Sequence, residues 1–297
     1  MESSTFIPMK RIKLASYLQE RFPPVNMLLF AILFGAVYSV ASEGLSPTWS
    51  ELWGVVVVIS FFFRLRVMDE IKDFNIDAIN HPHRVLQSGG ISLPILIVIS
   101  AVGSLIELGW SLFSGSQCTI AWFSALTYSF LMRYEFFIGS WLRPRLAVYA
   151  ISHMLVMPLV IGWIWFAYRS DFSPALWLLM ILSLTAGFSF ELARKTHAPS
   201  AERPAIDSYS KSLGLKNSVH GILSILAVGL AFLFYLFHYL DLHLYAYIIL
   251  GAVYFAVVVV YRKGLKTLAD THFRKGEKAV SLYMLFSYLI LIIEMIR

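Results

Sequence analysis

A chain of 297 residues that is 58% hydrophobic and 14% charged, with a mean hydropathy of +0.71, falls well below the roughly 25% charged residues of an ordinary soluble domain. This excludes a water-soluble globular fold and marks an integral membrane protein. The formal net charge of +6 reads as topology and attraction to anionic lipid headgroups rather than nucleic-acid binding, and the single Cys118 excludes an intramolecular disulfide or a cysteine metal cage.

Residues 1–23 form a leader in which Ile12, Leu14, Ala15 and Leu18 are interspersed with Lys10, Arg11, Lys13 and Arg21. That is the pattern of an interfacial amphipathic helix, and its expected role is anchoring. The leader is polar and lacks a cleavage site, so the first apolar stretch is expected to stay as a membrane helix. Pro23 and Pro24 open that stretch as first-turn prolines do. Asn26 follows, and the cost of an amide in lipid turns it toward the bundle interior.

Nine apolar stretches approach the ~20 residues that span a bilayer as helix, at about 24–42, 50–67, 92–113, 117–132, 146–168, 174–190, 218–239, 243–261 and 279–296. The expected fold is all-α: one polytopic domain over 1–297 with nine transmembrane helices. Alternate connections carry 22 of the 24 Lys and Arg residues, leaving only Arg169 and Arg297 for the other side. Positive residues are retained in the cytoplasm, which puts the N-terminus and the longer connections there. Seven of the eight tryptophans, Trp141 excepted, fall in or beside the outer halves of their spans, as interfacial indoles would.

The connection after the second span holds the main cluster. Asp69, Asp73 and Asp77 are spaced i, i+4, with Glu70 between them, so on a helix all four project from roughly one side. Like charges so placed repel unless cations hold them together. Hard carboxylate oxygens suit Mg²⁺, which takes one or two protein carboxylates and fills its shell with water and substrate phosphates. The spacing therefore fits a Mg²⁺-diphosphate site at the membrane surface. It equally fits a solvated helix end paired with Arg64, Arg66 and Lys72.

After the fourth span, Arg133, Arg143 and Arg145 lie among aromatics; they match phosphate oxygens and also satisfy topological retention. After the sixth span, Glu191 stands at the expected depth of Asp69. Lys195, one turn on, is placed to pair with it or to reach a phosphate. Prolines 199 and 204 break the helix, and Asp207, Tyr209 and Lys211 lead to Gly214. Two acid-and-base connections four helices apart suggest halves arranged around one cavity. The connection at 262–278 is basic and reads as an anchoring loop. Glu107 is the outlier, an acid well inside the third span.

With these connections in view, the chain resembles the UbiA superfamily of intramembrane prenyltransferases. The likeness covers nearly the whole chain in topology and concentrates in two motifs. The family's N-D-x-x-D-x-x-x-D is similar to Asp69-Glu70-x-x-Asp73-x-x-x-Asp77, followed by Arg84 and a Ser88-Gly89 turn. Its D-x-x-x-D is matched by Glu191-x-x-x-Lys195, where lysine replaces the second acid; Glu202 or Asp207 is a possible substitute.

The resemblance implies nine helices around a central cavity and transfer of a prenyl group from an isoprenoid diphosphate donor to an aromatic or other apolar acceptor. Asp69, Glu70, Asp73, Asp77 and Glu191 would hold Mg²⁺, with Asp73, Asp77 and Glu191 catalytic. Lys72, Arg84, Arg143, Lys195 and Lys211 would contact the diphosphate, and Asn26 and Asp207 the substrate. Relatives that cyclise terpenes or transfer phosphoribosyl groups leave a second enzymatic reading open. A membrane transporter or lipid-binding protein is the non-enzymatic alternative.

Overall fold

The computed structural model describes residues 13–44, 46–203 and 207–296, and within them every regular element is helical. Lys10, Arg11 and Ile12 of the leader, together with Pro204 and Arg297, lie outside the described residues. A short helix α1 (Leu14–Arg21) precedes α2 (Pro24–Ala41), α3 (Trp49–Asn80), α4 (Leu93–Ser114), α5 (Ser116–Arg133) and the short α6 (Gly139–Leu142). Then come α7 (Leu146–Met154), α8 (Val156–Trp165), α9 (Pro174–Arg194), the short α10 (Tyr209–Ser212), α11 (Leu215–Tyr239), α12 (Leu244–Thr267) and α13 (Asp270–Met295).

Successive long helices pack on one another, and α13 packs back on α2, so the described helices close into a ring in which α7 and α8 together make one span-length segment. Seven helical segments among the described residues are long and apolar enough to cross a membrane. The other two expected spans, 50–67 and 117–132, are the helices α3 and α5. Composition separates them from the rest: α3 carries Glu51, Arg64 and Arg66, and α5 is rich in Ser and Thr.

Three expectations are refined. The stretch at 146–168 is interrupted at Leu155; Pro158, four residues after Met154, offers no N–H to the Met154 carbonyl and its ring crowds it. The basic segment 262–278 is not a loop, since α12 runs to Thr267 and α13 starts at Asp270; the chain reverses through Leu268, at φ 54°. Half of the tryptophans face the bundle interior, whereas Trp49, Trp53, Trp141 and Trp177 are exposed. Trp110, Trp122, Trp163 and Trp165 are buried, and the Trp163 indole donates to Ser111 Oγ at 2.9 Å.

Between membrane helices, association depends on close fit, because lipid is as apolar as leucine. The glycines show that fit. A Cβ on Gly54 would stand 2.6 Å from the Phe34 ring, and one on Gly276 would stand 2.6 Å from Tyr261. Where α3, α4 and α5 meet, the apolar packing gives way to one polar cluster. Arg64, counted above among the surface bases, is only 3% exposed and Glu107 is 0% exposed. They pair at 2.9 Å. Glu107 also accepts from the Trp122 indole at 3.0 Å and the Ser60 hydroxyl at 3.2 Å, while Arg64 donates to Ser129 Oγ at 2.8 Å. The Glu107 outlier is thus neutralised inside the bundle.

Candidate active site

Helix α3 continues unbroken for 32 residues, carrying the acids past the apolar run on a single rod. At 1.5 Å rise per residue, Asp69 and Asp77 are about 12 Å apart along it. The helix ends where the His81 N–H bonds the Asp77 carbonyl at 2.8 Å. The chain then turns through Gly89, whose φ of 75° lies in the left-handed region that favours glycine. Before that glycine, the Arg84 N–H bonds the His81 carbonyl at 3.1 Å, and this earlier turn brings the Arg84 side chain back onto Asp77 at 2.5 Å.

The four acids divide into two pairs. Glu70 is 1% exposed, and its Oε1 accepts from Arg21 at 2.7 Å and from Arg66 at 2.6 Å. Asp77 is held by Arg84, with Arg21 at 3.6 Å. Asp69 and Asp73, one turn apart, are freer: the Asp69 side chain is 55% exposed with Lys72 4.0 Å away, and Asp73 has no hydrogen bond or ion pair among the described residues. No group of three acids, histidines or cysteines placed to hold a metal occurs among the described residues. The chemistry of the donor set nonetheless fits one Mg²⁺, which needs only one or two carboxylates when phosphates and water complete its shell.

Polar groups of α7 and of the segment before it meet this end of α3. The Lys72 ammonium donates to the Tyr149 hydroxyl at 3.1 Å. Tyr149 stacks on His153 with ring centroids 4.0 Å apart, and His153 Nε2 is buried without a hydrogen-bond partner. Arg143 pairs with the buried Glu135 at 2.7 Å and interacts electrostatically with Asp73. Helix α7 is thus bonded to α3 through Lys72 and Tyr149 and packs on α9, so polar groups of the three helices adjoin at one mouth.

On α9, Glu191 is engaged on both oxygens. Oε2 accepts from Arg194 Nη2 at 2.7 Å and Nε at 3.1 Å, and Oε1 pairs with Lys195 at 2.8 Å. A divalent ion 4 Å from that ammonium would be repelled by about 8 kcal/mol at an effective dielectric of 20. Beyond α9, Arg194, Lys195, His197, Glu202, Arg203 and Asp207 line a cavity of about 260 Å³. Glu202 is occupied by the hydroxyls of Ser208 and Ser210, whereas Asp207 is exposed. Lys211 donates to the Arg203 carbonyl. Tyr209 donates to the Leu146 carbonyl at 3.2 Å; burial pushes its phenol up, so it remains a donor throughout the neutral range. Asn26 is half-buried in the first turn of α2, five residues after Arg21.

Arg21, Glu135, Tyr149, His153 and Arg194 were not singled out by the sequence reading as members of this site. Tyr149 and His153 carry a usable signal, a polar aromatic pair at i, i+4 inside an apolar run. The leader is also more than an anchor. Tyr17 is wholly buried, the Lys13 N–H bonds the Gly90 carbonyl at 3.0 Å, and Glu20 accepts from the Val85 N–H at 2.8 Å. These contacts deliver Arg21 to the acids.

Comparison with known proteins follows the same lines. In fold, the chain is similar to a solved digeranylgeranylglyceryl phosphate synthase, with a TM-score of 0.72 at 19% identity over 96% of this chain and 99% of that one. It is similar to a UbiA homolog from Aeropyrum pernix K1, with a TM-score of 0.62 at 15% identity over 88% and 96% of the two chains. A third likeness is to a UbiA homolog from Archaeoglobus fulgidus bound to GPP and Mg²⁺, with a TM-score of 0.58 at 12% identity over 93% and 99%. In sequence, 111 residues are 33% identical to the Bacteriochlorophyll synthase 34 kDa chain of Chloroflexus aurantiacus, a match spanning 37% of this chain and 33% of that protein. The model of the UbiA prenyltransferase family matches residues 28–275. The chain belongs to the UbiA prenyltransferase family.

Proposed function

We propose that this protein transfers a prenyl group from an isoprenoid diphosphate to an aromatic or other apolar acceptor, at the mouth between α3, α7 and α9. The observation that carries the reading is the pair Asp69 and Asp73, one helical turn apart and not taken up by guanidinium groups, with Lys72 held beside them by Tyr149. Asp69 and Asp73 would hold Mg²⁺. Bound there, Mg²⁺ supplies positive charge that offsets the charge developing on departing diphosphate.

The remaining groups bind and orient. Glu70 and Asp77, committed to Arg21, Arg66 and Arg84, fix the basic rim. Lys72, Arg84 and Arg143 are oriented by Tyr149, Asp77 and Glu135, ready to meet phosphate oxygens. Lys195 and Lys211 are the corresponding bases after α9, and Asn26 and Asp207 are the groups we assign to the substrate's polar end. Below the mouth, Phe22, Phe30, Phe62 and Phe63 pack ring on ring. These rings cover one another's faces and exclude water from the packing beside α1.

The basic residues set the orientation we propose, with the N-terminus and the mouth cytoplasmic. The Mg²⁺ and GPP named for the Archaeoglobus homolog support the donor class. Purified protein in lipid with Mg²⁺, a panel of allylic diphosphates and apolar acceptors should release pyrophosphate and form prenylated product by mass spectrometry. Release without an acceptor, giving a cyclised hydrocarbon, would contradict the transfer reading.

A further inference from the structure

We infer that Glu191 is a positioning residue for two fixed cations, not a metal ligand, so that the diphosphate is clamped between one divalent ion on α3 and the Arg194 and Lys195 side chains of α9. This rests on the diphosphate reading above and specifies its metal count. Three observations carry it.

First, Glu191 has its two oxygens divided between two bases. Arg194 takes one oxygen and Lys195 the other, at i, i+3 and i, i+4 on the last turn of α9. A second carboxylate one turn from Glu191 would complete a two-acid metal site, and Lys195 occupies that position. The next acid along the chain is Glu202, and it is tied to Ser208 and Ser210.

Second, the turn that carries these cations is fixed from outside. Arg274 on α13 donates to the Arg194 carbonyl at 3.3 Å and the Thr196 carbonyl at 2.5 Å. The Tyr209 N–H bonds the Lys195 carbonyl at 3.0 Å. The Ser210 hydroxyl accepts from the His197 N–H at 2.9 Å, and Asp270 accepts from the Ala198 N–H at 3.0 Å. Charges held this way need no reorganisation when a phosphate arrives.

Third, both side chains line the 260 Å³ cavity at the end of α9, with Arg203 and His197. Glu191 itself is buried, leaving the two cations as the groups a ligand meets. A guanidinium fork and an ammonium are the donors that phosphate oxygens take.

The test counts metal ions. Full-length protein in nanodiscs is dialysed against Mn²⁺ and a non-hydrolysable thiolo-diphosphate analogue of an allylic donor, and bound Mn²⁺ per chain is measured. One ion is expected in the wild type and still one in Glu191→Gln, whose analogue affinity falls about tenfold or more, the range of lost charge-assisted hydrogen bonds. Lys195→Arg should hold the analogue nearly as the wild type does. Lys195→Asp should raise the count to two, since it rebuilds an acid pair at i, i+4. Two ions in the wild type, or loss of an ion in Glu191→Gln, would overturn the inference while leaving the prenyl-transfer reading standing. No bound Mn²⁺ in the wild type would remove the metal-diphosphate site itself, and the inference with it.

Discussion

Replacing Arg64 with methionine isolates the one ion pair buried at the meeting of α3, α4 and α5. Methionine roughly fills the space of the aliphatic stem but withdraws the charge that faces Glu107 at 2.9 Å. Glu107 keeps the Trp122 and Ser60 donors and loses its only charged partner among the described residues. Breaking a buried pair in this way costs about 3–5 kcal/mol. An expected loss of about 3 kcal/mol corresponds to more than a hundredfold shift in the unfolding equilibrium. Adding Glu107→Gln removes the stranded charge and keeps an acceptor for the indole, so the double variant should recover about 2 kcal/mol of the loss. The assay is unfolding in mixed micelles of rising SDS fraction, followed by circular dichroism. A single-variant cost below about 1 kcal/mol, or a double variant no better than the single, would refute the reasoning.

Other outcomes follow from the same contacts. Gly54→Ala drives a methyl to within 2.6 Å of the Phe34 ring, and overpacking of this kind costs about 1–3 kcal/mol; unchanged stability in the same titration would contradict the packing. Arg21→Ala cuts the tie from α1 to Glu70, so hydrogen exchange across residues 14–21 should accelerate, and equal protection in both proteins would show that the leader is held elsewhere. Tyr149→Phe removes the oxygen that holds Lys72 at 3.1 Å. Affinity for an allylic diphosphate, by fluorescence competition, should fall several-fold, against tenfold or more for Lys72→Met; equal losses would mean that Tyr149 does more than orient the ammonium.

The membrane helices were legible because about 20 apolar residues have few other ways to satisfy their backbone in lipid. All nine expected stretches are helical or, at 146–168, helical with one break. The break itself was visible as Pro158 and went unread. The common face of Asp69, Asp73 and Asp77 needed only the helical repeat. What stayed hidden was partner choice. Glu70 and Asp69 are adjacent in sequence and alike in chemistry, yet α1 folds over one and leaves the other open. That depends on contacts such as Glu20 with Val85, 65 residues apart, which local pattern does not encode. Arg64 was misplaced and the partner of Glu107 was missed for the same reason, although opposite charges within neighbouring antiparallel apolar spans are a signal for pairing. Glu191 shows a third case: its partners lie three and four residues away, and local spacing contained the answer once Arg194 was weighed with Lys195.

The central claim, that Asp69 and Asp73 form the cation-binding side of a diphosphate site, is tested most directly by binding of an allylic diphosphate to the purified chain with and without Mg²⁺. Wild-type protein should show binding that chelation of Mg²⁺ abolishes, and Asp73→Asn should show none of the Mg²⁺-dependent component while unfolding at the wild-type SDS fraction. Mg²⁺-dependent binding of near wild-type strength in correctly folded Asp73→Asn would contradict the account.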